Sequence, residues 1–207
     1  MSSKGDLSDT RTVVEIYEQV KEYPVEYHVN NAGFGEFGYF QNTDLKKELE
    51  MISLNISALT TLTKYFVKDM VARGHVRILN VGSNGSFFSC AQMAVYCVTK
   101  NYVLAFSEAL SVELEKTGVT VTCLCPGPTK SGFQKAAHNE NSRLVKGKKL
   151  PSSVEVAEFG YKAMMKGKMT AIHGLNTRFE IFLRRFAPRK LTAKTVMFKM
   201  REDLVLM

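Results

Sequence analysis

The sequence predicts an α/β fold, a doubly wound parallel sheet with helices on both faces. Two segments, VRILNVG at 76–82 and VTVTCLC at 119–125, are near-continuous apolar runs, as is typical of parallel strands buried on both faces. Longer segments around them repeat apolar residues at helical spacing. Because strands and helices alternate along the chain, a parallel sheet is favoured.

The other elements follow from the same periodicities. Val13, Ile16 and Val20 lie about one helical turn apart and predict a helix over 9–22, and VEYHVN at 25–30 predicts a short strand. Further predictions are one long helix or two in tandem over 44–72, a helix over 97–116, a helix over 153–167, a short strand near 169–173, and helix over much of 175–205.

Length and composition indicate an ordinary globular protein. We expect one domain over 1–207, since 207 residues with 45% hydrophobic and 23% charged residues suffice for one substantial core. The N-terminus MSSKGDLSDT is too polar for a signal peptide, and no apolar run is long enough to span a bilayer. A cytoplasmic protein is the resulting expectation.

The net charge of +8 is concentrated in the last third of the chain. Residues 134–207 hold 16 of the 28 Lys and Arg residues but only 6 of the 20 Asp and Glu residues. We expect this basic helical region to form a substrate lid. Within it, 175–200 mixes basic and aromatic residues, a pattern that suits either a solvated lid or peripheral contact with an anionic membrane. Nucleic acid is disfavoured, because no binding motif accompanies the charge.

The four cysteines show no metal-site spacing. Cys90, Cys97, Cys123 and Cys125 form no C-x-x-C pair and have no histidine at ligand spacing, so we expect no metal site. Cys123 and Cys125 would face the same side of a strand. All four are expected to be buried free thiols.

Residues 33–38, GFGEFG, match the G-x-G-x-x-G dinucleotide fingerprint literally. That motif works where a helix opens inside it, with an acidic residue about 20 positions later in the next strand. Here the first helix-start signal is Thr43-Asp44, and 44–72 is predicted to be helical. The context therefore argues against a phosphate loop at this position.

A second set of residues carries a stronger signal. Three predicted strands end in small or polar residues, at Asn30-Asn31-Ala32-Gly33, Gly82-Ser83-Asn84-Gly85-Ser86 and Pro126-Gly127-Pro128-Thr129. Ligands bind in the crevice beyond such strand ends. Tyr96 follows Ser83 by thirteen residues, and Lys100 lies one helical turn further on. An ammonium beside the phenol would lower the pKa of tyrosine toward working pH, as a general acid/base requires.

With these residues the chain resembles the short-chain dehydrogenase/reductase family, from about Asp6 to at least Phe133. The ordered set that carries the resemblance is NNAG, a lone Asn in SLNIS, Ser thirteen residues before Y-x-x-x-K, and PG thirty residues after the tyrosine. It implies a Rossmann-like fold and NAD(P)-dependent oxidation or reduction of an alcohol or ketone, as by a ketoreductase. NADP is favoured over NAD.

The resemblance also implies roles for individual residues. Tyr96 would exchange the substrate proton, Ser83 would hydrogen-bond the substrate oxygen, Lys100 would bind the nicotinamide ribose, and Asn55 would hold a relay water. The implied cofactor-binding residues are Asp6, Leu7, Asn30, Ala32, Gly33, Tyr96, Lys100, Pro126, Gly127 and Thr129. Two alternatives stay open: Ser86 in place of Ser83, and Asn55 as a structural amide.

One part of the family pattern is missing. Members of the family begin with a strand, a T-G-x-x-x-G-x-G turn and a helix that hold the pyrophosphate, and this sequence has no such segment. KGDLSDTRTVVEIYEQV resembles the end of the third strand and the following helix. We therefore expect a chain incomplete in its N-terminal half, lacking its first βαβ unit, with 25–30 as an exposed sheet edge unless it pairs between subunits.

Two functions follow as hypotheses. The first is the oxidoreductase just described, acting on a small alcohol or ketone that is partly apolar, lipid-like or acidic, in a pocket that includes Phe87, Phe88, Met93 and Phe133. The second is a catalytically silent remnant that serves as a binding or oligomerisation module. The resemblance also implies a homodimer or homotetramer formed through the long helices.

Overall fold

The computed structural model of the protein describes residues 5–201 and confirms the predicted α/β class. Four strands form one parallel sheet in chain order: β1 (Tyr27–Asn30), β2 (Arg77–Val81), β3 (Thr120–Cys125) and β4 (Thr170–Ile172). The α-helices are α1 (Thr10–Val20), α2 (Leu45–Ile52), α3 (Leu59–Arg73), α4 (Ala94–Glu113), α5 (Phe133–Ala136), α6 (Ser153–Met165), α7 (Leu175–Arg184) and α8 (Arg189–Met200).

The sheet is covered on both faces, as the apolar runs predict. On one face, Ile78 of β2 and Val121 of β3 pack with α1, α3 and the end of α4. On the other face, Leu79 and Leu124 pack with α6 and β4. Successive residues of a strand point to opposite faces, so each buried strand contributes to two cores.

The predicted tandem helix over 44–72 is one continuous helical run with a π-helical segment, Ser53–Ala58, between α2 and α3. Asp44 caps its start, because its carboxylate accepts a hydrogen bond from the Lys46 amide at 2.7 Å. Short π-helical segments of this kind are frequent at functional sites. This one contains Asn55, which is buried.

The predicted edge strand is confirmed: in the described residues, β1 pairs with β2 alone. Tyr27 and Val29 are exposed, whereas His28 is buried with its ring centroid 4.9 Å from that of Phe66. His28 Nε2 has no hydrogen-bond partner among the described residues. The strand therefore buries an uncompensated polar atom on its covered face.

The prediction of four free thiols is wrong for two of them. Cys90 and Cys97 form a disulfide, because the loop before α4 turns at Gln92, in the left-handed region at φ 68°, and returns Cys90 to the first helical turn. Their Cα atoms are 6.0 Å apart. Cys123 and Cys125 are free and buried, and they face the same side of β3 as predicted.

Within the basic C-terminal region, residues 175–200 form the helical hairpin α7–α8. No helix within residues 5–201 combines the length and the hydropathy needed to cross a bilayer. The last residues of the predicted helix over 175–205 lie outside the described residues.

Candidate active site

A cavity of about 400 Å³ lies beyond the carboxyl ends of the strands. Its walls come from the loop after β1, the loop after β2, the first turns of α4 and the loop after β3. Of the predicted site residues, it brings together Gly33, Ser83, Tyr96, Lys100, Pro126, Gly127 and Thr129. Residues as far apart in the chain as Gly33 and Thr129 thus share one chamber, as the strand ends predict.

The two serines after β2 have different environments. Ser83 lines the cavity and begins a 3₁₀ turn, where its Oγ accepts a hydrogen bond from the Gly85 amide at 3.0 Å. Ser86 is buried beneath it and donates to the Lys100 carbonyl at 2.7 Å. The geometry therefore favours Ser83 as the hydroxyl available to a ligand and gives Ser86 a structural bond to α4.

Tyr96 and Lys100 lie on one face of α4, both toward the cavity. Burial raises the pKa of Tyr96 to about 12, and a hydrogen bond with the Ser83 side chain opposes that rise. This pairing places a phenol and a hydroxyl together at the floor of the chamber. Both groups therefore border the space in which a ligand would sit.

The expected effect of Lys100 on the phenol is not present in this geometry. Lys100 Nζ donates to the Val81 carbonyl at 2.8 Å, and burial lowers the pKa of this ammonium to about 8. Burial raises the pKa of Tyr96, and the Lys100 ammonium, which is directed at the end of β2, does not offset that rise. Helical spacing places the two residues on one face but does not determine where a four-carbon side chain points.

Asn55 is fully bonded within the protein. Its Nδ2 donates to the Phe34 carbonyl and to Thr99 Oγ1, both at 3.0 Å, and its Oδ1 accepts from the Phe34 amide at 3.3 Å. These bonds clamp the loop after β1 to α4. The described contacts therefore assign Asn55 a structural bond network, and its relay role stays a prediction.

The remaining predicted cofactor residues lie away from the main cavity. Leu7, Asn30 and Ala32 line a separate cavity of about 70 Å³ beside β1. Asn30 Nδ2 donates to Thr63 Oγ1 and Asn80 Oδ1, which ties β1 to its neighbours. In the turn before α1, the Asp6 carboxylate accepts from the Ser8 hydroxyl at 2.7 Å and from the Ser8 amide at 2.9 Å, and these two bonds lower the pKa of Asp6.

Gly35, in the glycine-rich segment 33–38, packs against the candidate site, although it is not among the predicted site residues. A Cβ atom at this position would lie 2.8 Å from Phe133 Cζ and 3.1 Å from both Met93 Cε and Tyr96 Cδ2. Its backbone therefore packs directly against the tyrosine ring. The G-x-G-x-x-G match at 33–38 does mark a place where the backbone approaches another group closely. At Gly35 that group is a side chain rather than a phosphate.

The structure also separates the aromatic residues expected in the pocket. Met93 and Phe133 line the cavity, and the ring centroids of Phe133 and Tyr96 are 5.2 Å apart. Phe87 and Phe88 do not line it: Phe87 packs against a core cluster with Leu59 and Val103, and Phe88 lies under the Arg184 guanidinium at 4.6 Å. Leu144, Val145 and Met200 complete the apolar wall.

Comparison with known proteins identifies the family. The family model for short chain dehydrogenase matches residues 1–142, so the chain belongs to that family. It is 26% identical over 162 residues to 3-oxoacyl-(acyl-carrier-protein) reductase FabG of Buchnera aphidicola, covering 78% of this chain and 64% of that protein. Ketoacyl reductase HetN of a Nostoc species is 29% identical over 124 residues, 59% of this chain and 43% of that protein. The chain spans about half the length of the first curated relatives it matches.

Solved structures agree on the fold. A 7β-hydroxysteroid dehydrogenase superposes with a TM-score of 0.80 at 18% identity, over 93% of this chain and 74% of that one. A short-chain dehydrogenase from Sphingobium yanoikuyae in complex with NADPH gives a TM-score of 0.77 at 23% identity, over 89% and 75% of the two chains. At these identities the likeness concerns the fold.

Proposed function

We propose that this protein is an NAD(P)-dependent oxidoreductase that interconverts an alcohol and a ketone. The observation that carries the proposal is the shared cavity of Ser83, Tyr96 and Lys100 at the carboxyl edge of a parallel sheet. Membership of the short chain dehydrogenase family supports the same activity. A silent binding module would not need a tyrosine and a serine that line the same cavity.

In this proposal Tyr96 is the general acid and base. The phenol is protonated at neutral pH, since its pKa is about 12, and it can donate its proton to the oxygen of a carbonyl substrate. Ser83 hydrogen-bonds the same oxygen and stabilises the negative charge that develops on it. Oxidation of the alcohol runs the same steps in reverse.

The residues around Lys100 fit the nicotinamide end of a dinucleotide. A Cβ atom at Gly33 would lie 3.3 Å from Lys100 Nζ and 2.9 Å from Asn55 Oδ1, so the glycine leaves a polar cradle open beside the ammonium. Lys100 would bind the ribose hydroxyls there, and Pro126, Gly127 and Thr129 would hold the nicotinamide. The bound nicotinamide supplies or accepts the hydride. NADP remains our favoured cofactor.

The cavity walls indicate the substrate class. Met93, Phe133 and Met200 give one side of the chamber an apolar surface, while Ser83 and Tyr96 give it a polar floor. A ketone with an apolar substituent fits this arrangement. The names of the relatives include ketoacyl reductases, which is consistent with such a substrate.

The proposal is tested by Tyr96→Phe, which removes only the phenolic hydroxyl. In carbonyl-reduction assays with NADH and NADPH, kcat should fall on the order of 10²–10⁴-fold, the usual contribution of general acid catalysis. Tyr102→Phe is the matched control, because Tyr102 lies on the same helix and bonds Thr60 Oγ1 at 2.9 Å. Equal turnover by wild type and Tyr96→Phe would overturn the mechanism. A folded wild-type chain with no turnover on any carbonyl would favour the silent module.

A further inference from the structure

The hairpin α7–α8 exposes an apolar stripe on the side that faces away from the core. On α7, Ile181 is buried, and Thr177 and Arg184 beside it are partly buried. The opposite side carries apolar residues at spacings of three and four, which recur on one helical face. With one neighbour from α8, this apolar stripe consists of Leu175, Phe179, Phe182, Leu183, Phe186 and Leu191, each between 50% and 79% exposed.

An exposed apolar stripe of this size is unusual on the solvent-facing side of a helix. Large apolar side chains ordinarily face the core of an amphipathic helix, and contiguous exposed apolar patches mark interaction surfaces. Phe182 and Phe186 also contact each other edge to face, with centroids 5.5 Å apart. These two exposed rings therefore form one contiguous apolar patch on the stripe.

The charge around the stripe is almost entirely positive. Residues 175–201 contain eight Lys and Arg residues and one acidic residue, Glu180. That carboxylate is already bonded to Arg184 at 2.5 Å and to Lys199 at 2.6 Å. The hairpin's other basic side chains up to residue 194 are exposed and form no ion pair within the described residues: Arg178, Arg185, Arg189, Lys190 and Lys194.

We propose that the α7–α8 hairpin is a peripheral docking surface for an anionic lipid bilayer. The apolar stripe would enter the boundary between headgroups and acyl chains, while the five exposed basic residues would contact acidic headgroups. A second copy of this chain is disfavoured as the occupant, because two such positive surfaces repel each other. This proposal rests on the surface alone and does not depend on the proposed catalytic activity.

The hairpin also connects to the candidate active site. Its inner side contributes Met200 to the cavity wall, and a Cβ atom at Gly127 would lie 3.6 Å from Thr177 Oγ1 at the start of α7. Docking through the outer side therefore leaves the contacts with the cavity in place. Lipid binding is expected to leave Ser83 and Tyr96 undisturbed.

Vesicle co-sedimentation of the full chain tests the proposal. The wild type should sediment with phosphatidylcholine vesicles that contain about one-third phosphatidylserine, and far less with phosphatidylcholine alone. The bound fraction should fall as salt screens the headgroup charge. This arm needs no variant, so misfolding of a mutant cannot obscure it. No association with the anionic vesicles, or association that salt does not weaken, would overturn the proposal.

Two double variants test whether the α7–α8 hairpin is the surface that contacts the vesicle. Phe182→Ser with Phe186→Ser should weaken vesicle binding by about tenfold or more, since two exposed rings are lost. Val154→Ser with Tyr161→Ser removes two exposed apolar residues of α6 and is the matched control. Equal weakening by both pairs would place the contact outside the hairpin and contradict the proposal.

The charge arm uses Arg185→Gln, Arg189→Gln and Lys190→Gln together. Binding should fall by about a hundredfold, because each basic residue near an anionic surface contributes about fivefold. Lys162→Gln, Lys166→Gln and Lys168→Gln remove the same charge from outside the hairpin and should have a smaller effect. A different outcome would be a wild type that does not bind vesicles but dimerises, together with a Phe182→Ser/Phe186→Ser variant that is monomeric. In that case a second copy of the chain covers the apolar stripe, and the lipid proposal fails.

Discussion

At the scale of single residues, the packing of Gly35 against Tyr96 makes a specific prediction. Gly35→Ala introduces a Cβ atom 3.1 Å from the tyrosine ring, at a position whose backbone angle an alanine can adopt. Phe133, whose Cζ would lie 2.8 Å from that Cβ atom, must shift, and the Tyr96 ring must give by a few tenths of an ångström. We therefore expect kcat/KM to fall by about 10- to 100-fold, as small misplacements of catalytic groups do. The free energy of unfolding should fall by about 1–3 kcal/mol, the usual cost of overpacking.

The chain offers a matched control for this change. A Cβ atom at Gly132, in the loop after β3, would have no atom within 4 Å. Gly132→Ala should leave turnover unchanged and keep or slightly raise stability. Steady-state kinetics and urea unfolding measure both quantities. Turnover by Gly35→Ala at the wild-type rate would contradict the contact between this glycine and the tyrosine.

At the scale of elements, the buried histidine of β1 predicts a pH-dependent stability. Burial lowers the pKa of His28 to about 4, below its ordinary value of 6.5. Between about pH 6.5 and pH 4 the imidazole of His28 binds a proton in the unfolded chain but not in the folded chain. The free energy of unfolding therefore decreases as pH falls through this range. The shift corresponds to about 3 kcal/mol across that window.

His28→Leu should remove this dependence. Compared with wild type, the variant should gain about 3 kcal/mol in free energy of unfolding between pH 7 and pH 4, in addition to a gain at neutral pH from removing an unpaired buried nitrogen. Urea unfolding at several pH values measures the difference, and His75→Gln, an exposed histidine, controls for the loss of any histidine. Wild-type and His28→Leu curves that stay parallel with pH would refute the assignment.

At the scale of the whole molecule, the fold was largely predictable because its signals are local. The apolar runs at β2 and β3 and the helical spacing of α1, α3 and α6 predict elements whose bounds differ from the structure by only a few residues. The order of small and polar residues at the strand ends also predicted the shared cavity. The homodimer or homotetramer expected from the family resemblance stays a prediction.

What could not be predicted depends on contacts between distant segments. The loop between Cys90 and Cys97, which the disulfide closes, contains a left-handed residue at Gln92, a conformation that a glutamine does not signal. The bond from Lys100 to the Val81 carbonyl depends on the direction of a flexible side chain. The network of Asn55 depends on a π-helical segment inside an otherwise regular helical pattern.

The central claim, that the cavity holds a nicotinamide nucleotide beside Lys100, is tested most directly by titrating NADH and NADPH into the purified chain and following fluorescence. We predict saturable binding by the wild type. Gly33→Ala should weaken it by about tenfold or more, because its Cβ atom would fill the cradle between Asn55 and Lys100. Gly132→Ala should bind like wild type. A folded chain that binds neither nucleotide, or a Gly33→Ala variant that binds as tightly as wild type, would contradict the claim.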